Sequence, residues 1–306
     1  MRRLRLPFKS QKISLPLLAF ILLLVVGLGS ASWQKTHPKP VPVSEVDAKY
    51  ISLGGGYLFS IPAKYTSTGA AIPGVTIVYP ETLDTLNGKN LEELYKAGAV
   101  AAQPIAALKD NNVKAFKDYV SNMLAADLGK TMHSAVDVRE AKQGNIPGLR
   151  VFALANDGKR LRAIYAVNFT QPVMMVASEE SDALKVVGST VEDLKKTKYK
   201  ADIDLAVQAA KSVAEMLQKQ DASGIRKKAT AQFNKNVSKD KLAADLKGAT
   251  YLDRSITIAG GSYNGKVFIG ELIFEPKTKD QSAVSGVVSL SKQGKNWKLD
   301  GFQLPQ

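Results

Sequence analysis

Residues 13–28, ISLPLLAFILLLVVGL, form an unbroken charge-free run, and the twelve residues before it hold five cations and no acid. A cationic flank followed by an apolar run is the pattern of an export signal or membrane anchor, with the flank retained in the cytoplasm. Twelve of those sixteen residues are Leu, Ile, Val or Phe, worth roughly −4 to −7 kcal/mol of insertion free energy before Ser14, Pro16 and Gly27 are subtracted. The run is longer than a typical signal core and shorter than a typical span. Gly29 to Ser32 are neutral and extend it, and Trp33 suits the outer interface, so the expectation is a transmembrane signal-anchor over 13–32. The alternative is a secreted form cleaved near Ser30-Ala31-Ser32. No cysteine follows the run, so a lipid-modified cysteine is excluded.

Residues 33–48 form a linker with prolines at 38, 40 and 42. Alternating prolines favour an extended polyproline II backbone. At about 3.1 Å per residue, residues 34–48 span at most roughly 45 Å, which suits a stalk. The organisation expected is a basic cytoplasmic flank (1–12), the anchor (13–32), the linker (33–48) and two soluble domains at 49–198 and 200–306, each folding by itself.

In the first domain, YISLGGGYLFSIP reads as two strands about Gly54-Gly55-Gly56, and GVTIVYP (74–80) as a third. Asn90 and Glu93 form a capping-box pattern for a helix whose spacing runs through Leu91, Leu94, Tyr95, Gly98 and Ala102 to a stop at Pro104. A second helix is expected at 112–128. Strands follow at 132–140, 148–155, 160–168 and 172–178, with Asn156-Asp157-Gly158 as a hairpin turn. A helix over 181–194 closes the domain. In the second domain, Ile203, Ala206, Val207, Ala210, Val213, Ala214 and Leu217 mark an amphipathic helix over 202–217. Short helices near 221–230 and 238–246 precede strands at 254–259, 265–275, 282–292 and 296–304. The fold class is α+β.

Residues 50–195 resemble the PsbP-like family, named for a subunit of the photosystem II oxygen-evolving complex. The likeness lies in GYLFSIPAKY (56–65), GVTIVYP (74–80), the run GLRVFALANDGKRLRAIYAVNFTQPVMMVAS (148–178) and STVEDLK (189–195). It implies an α/β/α sandwich with a central antiparallel sheet and a non-enzymatic assembly or binding role. Residues 202–306 are similar to the nuclear-transport-factor-two-like (cystatin-like cone) superfamily, through the long helix, the short helices and the ending GKNWKLDGFQL (294–304). That implies helices followed by a four-stranded curved antiparallel sheet. The superfamily includes isomerases that need an inward acid or tyrosine, for which Tyr251, Asp253 and Tyr263 are the nearby candidates.

Other chemistry is sparse. His37 lies in the linker and His133 in a predicted strand, and there is no cysteine. No metal set, Ser-His-Asp elbow or phosphate loop can be assembled from these residues. Gly54-Gly55-Gly56 is followed by a strand and reads as a turn, and Met174-Met175 reads as core filling rather than copper binding. No catalytic, cofactor-binding or metal residue is therefore assigned, and no cofactor is expected. The net charge is +14; the flank supplies five of this, and residues 200–306 carry +6. Such a field favours anionic headgroups or anionic surface polymers. The basic clusters are short and lack a nucleic-acid motif, so nucleic acid is not an expected partner.

These readings converge on a membrane-anchored, extracytoplasmic, non-enzymatic binding or assembly protein of a bacterial cell envelope. Its expected partner is an unidentified envelope protein or an anionic surface polymer. A carrier of a small apolar ligand, or an enzyme with its site in the C-terminal cone, is the alternative. Protease added to intact spheroplasts is expected to digest residues 34–306; full protection would reverse the topology.

Overall fold

The computed structural model describes residues 48–305 except 73, 84–85, 87–90, 106–117, 119–131, 144–145, 156–159, 167–168, 179–180 and 279–280; strands between 132 and 166 are described by backbone pairing alone. The expected anchor and Asn156-Asp157-Gly158 turn lie outside these residues, as do the linker except Ala48 and the 112–128 helix except Asp118, which is helical. Among the described residues, no helix is long and apolar enough to cross a membrane.

The chain is α+β, and its described residues build two seven-stranded sheets whose strand pairs all run antiparallel. The first strands are β1 (Lys49–Ser52) and β2 (Tyr57–Ser60), joined by the glycine turn. Next come β3 (Tyr65–Ile72), β4 (Val75–Pro80), helix α1 (Leu91–Lys96) and β5 (Val100–Pro104). A meander follows: β6 (Met132–Gln143), β7 (Ile146–Ala155), β8 (Arg160–Ala166) and β9 (Val173–Ser178). Helix α2 (Asp182–Thr190) leads to the two-residue β10 (Glu192–Asp193).

Helix α3 (Lys200–Gln218) opens the second half, followed by α4 (Ala222–Lys228), α5 (Ala231–Asn236) and α6 (Lys239–Gly248). The last four strands are β11 (Ile256–Tyr263), β12 (Val267–Phe274), β13 (Val284–Gln293) and β14 (Asn296–Gln303).

Two expected helices are shorter than their spacing implied. The first stops at Lys96 because Gly98 takes φ +86°, and its neighbour's N–H closes back on Leu94, a glycine-terminated helix end. Val100–Pro104 then becomes an inner strand between β4 and β9. The closing helix ends at Thr190, with Val191 extended, and Glu192–Asp193 pairs with β2 instead. Between the two expected short helices, near 221–230 and 238–246, α5 forms a further one and buries Phe233. Strand β3 has no counterpart in the sequence reading.

Strand pairing crosses the division expected at 198/200. The strand order of the first sheet is β10-β2-β1-β11-β12-β13-β14, and the second runs β3-β4-β5-β9-β8-β7-β6. The C-terminal sheet therefore has seven strands rather than four, because β1 pairs with β11 through Lys49↔Tyr263 to Ser52↔Gly260. Hydrogen bonding does not follow the expected boundary. An uncovered β11 would present a row of unpaired backbone groups, and β1 supplies their partners.

Strand side chains alternate between faces, and both faces of this hairpin are buried. Ile51 and Leu58 join the core under α3, with Ile203, Val207, Phe268 and Leu272. Tyr50, Tyr57 and Phe59 join the other core, with Val78, Val100, Met175 and α2 residues Leu184 and Val187. All five hairpin side chains are at most 1 % exposed. At about 2 kcal/mol each, they contribute on the order of 10 kcal/mol, comparable to the whole stability of an ordinary domain.

A fragment 200–306 is accordingly expected to lack cooperative unfolding by circular dichroism, whereas a chain beginning at residue 48 retains it. In the full chain, Ile51→Ala or Leu58→Ala should cost about 2–5 kcal/mol in denaturant titrations, and Trp297→Ala, whose ring is buried, about 3–5 kcal/mol.

Candidate functional site

Three carboxylates sit at the joints of this architecture. Glu271 lies on the face of β12 turned away from the helices, between Gly270 and Leu272, whose flanks Phe268 and Phe274 fill the helical core. Its Oε2 accepts the Tyr50 O–H at 2.7 Å and the Gly69 N–H of β3 at 2.8 Å. It thus ties the second sheet to the first. Position 69 is glycine for a steric reason: a Cβ there would stand 2.6 Å from the Tyr50 hydroxyl. Removal from water raises the Glu271 carboxyl above its ordinary 4.5, against the lowering effect of the hydrogen bonds from Gly69 and Tyr50. Burial, followed by the nearby Glu271 charge, lifts Tyr50 well above 10.0. Tyr57 makes a parallel link, donating to the Ala102 carbonyl at 2.9 Å and sharing a 2.9 Å hydrogen bond with the Thr76 hydroxyl. Desolvation pushes it up to about 12.

Asp193 of β10 accepts the Thr170 N–H and O–H, both at 2.7 Å, and the Lys195 N–H at 2.8 Å. Burial opposes its ionisation, but the Thr170 and Lys195 hydrogen bonds outweigh that, and the carboxyl lies below the usual aspartate range.

Asp202 stands in the first turn of α3, where the helix dipole favours a negative charge. Its Oδ2 accepts the Tyr263 O–H at 2.7 Å; its Oδ1 accepts Trp297 Nε1–H at 3.3 Å and pairs with Lys292 Nζ at 2.7 Å. Desolvation raises this carboxyl, but bonds from Lys292, Tyr263 and Trp297 lower it more, so it lies below the aspartate range. Burial and the Asp202 contact raise Tyr263 in turn. The Tyr263 ring packs 6.1 Å from Tyr199 edge-on and 6.1 Å from Trp297. Lys49 and Lys198 place their ammonium groups 5.4 and 5.1 Å from the Tyr199 ring centre, and Lys292 lies 5.9 Å from that of Trp297. At such distances cation–π attraction is about 0.5–1 kcal/mol for exposed pairs. The result is an aromatic and lysine cluster at the start of α3, and it is the candidate site.

Of the residues singled out in the sequence, only Tyr263 joins this cluster. Tyr251 packs against the helical core at its edge, under the Arg254 guanidinium at 4.8 Å. Asp253 is ion-paired with Lys277, which holds its carboxyl low. His133 falls within β6, with its side chain outside the described residues, as is all of His37. Met174 and Met175 are buried in β9. Among the described residues, no group of His, Cys, Asp and Glu could hold a metal ion.

Asp202, Glu271, Tyr199 and Lys292 did not stand out in the sequence as site residues. Glu271 had a visible signal, as the only charge in the apolar run Val267–Phe274. Asp202 figured only as the first residue of the 202–217 helix, and nothing in the sequence places Lys292 or Trp297 beside it.

No known family profile matches the chain, and no curated protein matches it. Among solved structures, a SEC-C motif containing protein from Rhodopseudomonas palustris is 14 % identical, with 32 % of this chain and 77 % of that one covered, at a TM-score of 0.26. A protein from Bacteroides thetaiotaomicron is 10 % identical, with 78 % and 88 % covered, at a TM-score of 0.30. Neither is described as PsbP-like or as a cone protein, and neither likeness is close enough to carry a functional argument.

Glu271, with its raised carboxyl, favours the fold when protonated. Its contribution is full below the unfolded value of 4.5 and is lost as pH rises through the folded value. Stability measured by denaturant titration should therefore fall as pH rises above about 4.5 in the wild type relative to Glu271→Gln, which does not titrate. Parallel curves would show that the carboxyl is not shifted.

Proposed function

We propose that this chain is a membrane-anchored, extracytoplasmic, non-enzymatic binding or assembly protein of the bacterial cell envelope. The observation that carries the reading is the state of Asp202. It is the acid that faces a tyrosine of the C-terminal half, as an isomerase-type site would require, yet it is engaged by three donors of its own scaffold. Asp193 is engaged by three donors as well, and Glu271 by two. A carboxylate held below its ordinary range by a lysine and two ring donors is a poor proton acceptor and a good structural joint. The apolar run at 13–28 behind its cationic flank, and the proline-bearing segment at 34–48, support the tether. The resemblance of residues 50–195 to PsbP-like domains and of 202–306 to the cystatin-like cone supports a binding role.

Affinity capture with the full chain from detergent extracts of its own membranes, after chemical cross-linking, tests the reading. A stoichiometric envelope partner is the expected result. His133→Gln is expected to leave partner capture unchanged and stability within about 1 kcal/mol. Stoichiometric metal by elemental analysis, or loss of capture in a folded His133→Gln protein, would overturn it and bring the enzyme reading forward.

A further inference from the structure

The strand register gathers lysines at one end of the first sheet. Lys49 opens β1 opposite Tyr263, so the chain comes into the fold beside the β11–β12 turn that carries exposed Lys266. The β13–β14 turn lies at the same end, because Val267 pairs with Ser291 and Gln293 with Asn296. It brings exposed Lys292 and Lys295, and the Lys292 N–H donates to the Lys266 carbonyl at 2.8 Å. Lys198 and Lys49 flank Tyr199, whose ring meets Tyr263.

Among the described residues, the acids at this end are already engaged. Asp202 is held by its three donors, Glu192 lies 3.7 Å from Lys49, and Asp204 pairs with Lys200 at 2.5 Å. Among the described residues, Lys198, Lys266 and Lys295 have no acid within ion-pair distance. At the opposite end of the sheet the charge is mixed: Lys277 pairs with Asp253, and Glu275 accepts from Thr257.

We propose that this lysine-bearing end docks on anionic phospholipid headgroups of the membrane that holds the chain's own anchor; the inference rests on the membrane-tethered reading above. Two observations select that occupant. The cationic end is complementary to an anionic leaflet. It is also the end at which Lys49 receives the segment coming from the apolar run, so the tether delivers this surface, rather than the mixed-charge end, toward the bilayer. Electrostatic attraction acts over a Debye length of about 8 Å at physiological ionic strength. The end must therefore lie against the headgroups, and a tether of at most roughly 45 Å keeps it at high effective concentration there.

The test uses the full chain in nanodiscs of phosphatidylcholine, alone or with about one-third phosphatidylglycerol. Lysine acetylation by a membrane-impermeant reagent is followed residue by residue by mass spectrometry. With the anionic lipid, labelling of Lys198, Lys266 and Lys295 should slow by about threefold or more and recover in about 0.5 M salt, while Lys277 is unchanged. The K266E/K295E variant, folded by circular dichroism, should lose the protection of Lys198. Equal labelling in both kinds of disc overturns the proposal. Protection by soluble poly(glycerol phosphate) but not by anionic lipid overturns it in favour of a polymer ligand. A full chain that fails to co-elute with discs of either kind overturns the membrane-tethered reading itself, and the docking inference with it.

Discussion

The β1–β2 hairpin is buried on both faces, and the rest of the molecule is arranged around that fact. Side chains of a strand alternate, so a hairpin placed between two layers serves both cores at once. Ile51 and Leu58 face α3, while Tyr50, Tyr57 and Phe59 face the second sheet. Without the hairpin, β11 loses one of its two backbone partners and the two cores lose their common wall. Closing a chain of about 200 residues to pair β1 with β11 costs about 5 kcal/mol in loop entropy. Burying five large side chains, at about 2 kcal/mol each, more than offsets it.

Burying tyrosines on one face of that hairpin creates a polar problem, and the joints of the structure are its solutions. A hydroxyl removed from water needs a partner. Tyr57 reaches the Ala102 carbonyl and the Thr76 hydroxyl of the second sheet; Tyr50 reaches Glu271, which also collects the Gly69 N–H. Each hydrogen bond spans elements far apart in the chain, so satisfying it fixes how the sheets sit. Asp202 does the same for α3, binding the helix start to β11, β13 and β14 through Tyr263, Lys292 and Trp297.

Much of the local structure was legible in the sequence. The period of Ile203 to Leu217 marks α3 nearly to the residue, the apolar run at 173–178 marks β9, and Gly294 falls at a turn with φ +62°. The errors arose where two periods fit the same residues. Leu91 to Ala102 has helical spacing, but Gly98 breaks it, and Val100–Pro104 has a vacant strand position to fill. Val191 and Leu194 continue the apolar pattern of α2, but the edge of β2 takes Glu192–Asp193 as a strand. Of the candidate site, Tyr263 was visible from its residue type and neighbourhood. Asp202, Tyr199 and Lys292 were not, because their meeting depends on register across the sheet and on the direction in which α3 leaves it.

By itself, the sequence determined the charge-free run with its cationic flank, the α+β class, most element positions and the excess of lysine. These are local or compositional properties, fixed by side-chain type and period. Only the tertiary structure decided that the first two strands belong to the sheet of the last four, that Glu271 and Asp202 are joints, and that five lysines distant in sequence share one end. Those outcomes follow from strand pairing between residues more than 200 positions apart, as in Tyr50 and Ser262. Such pairing is chosen by which edge remains open and which faces remain apolar once every element is in place.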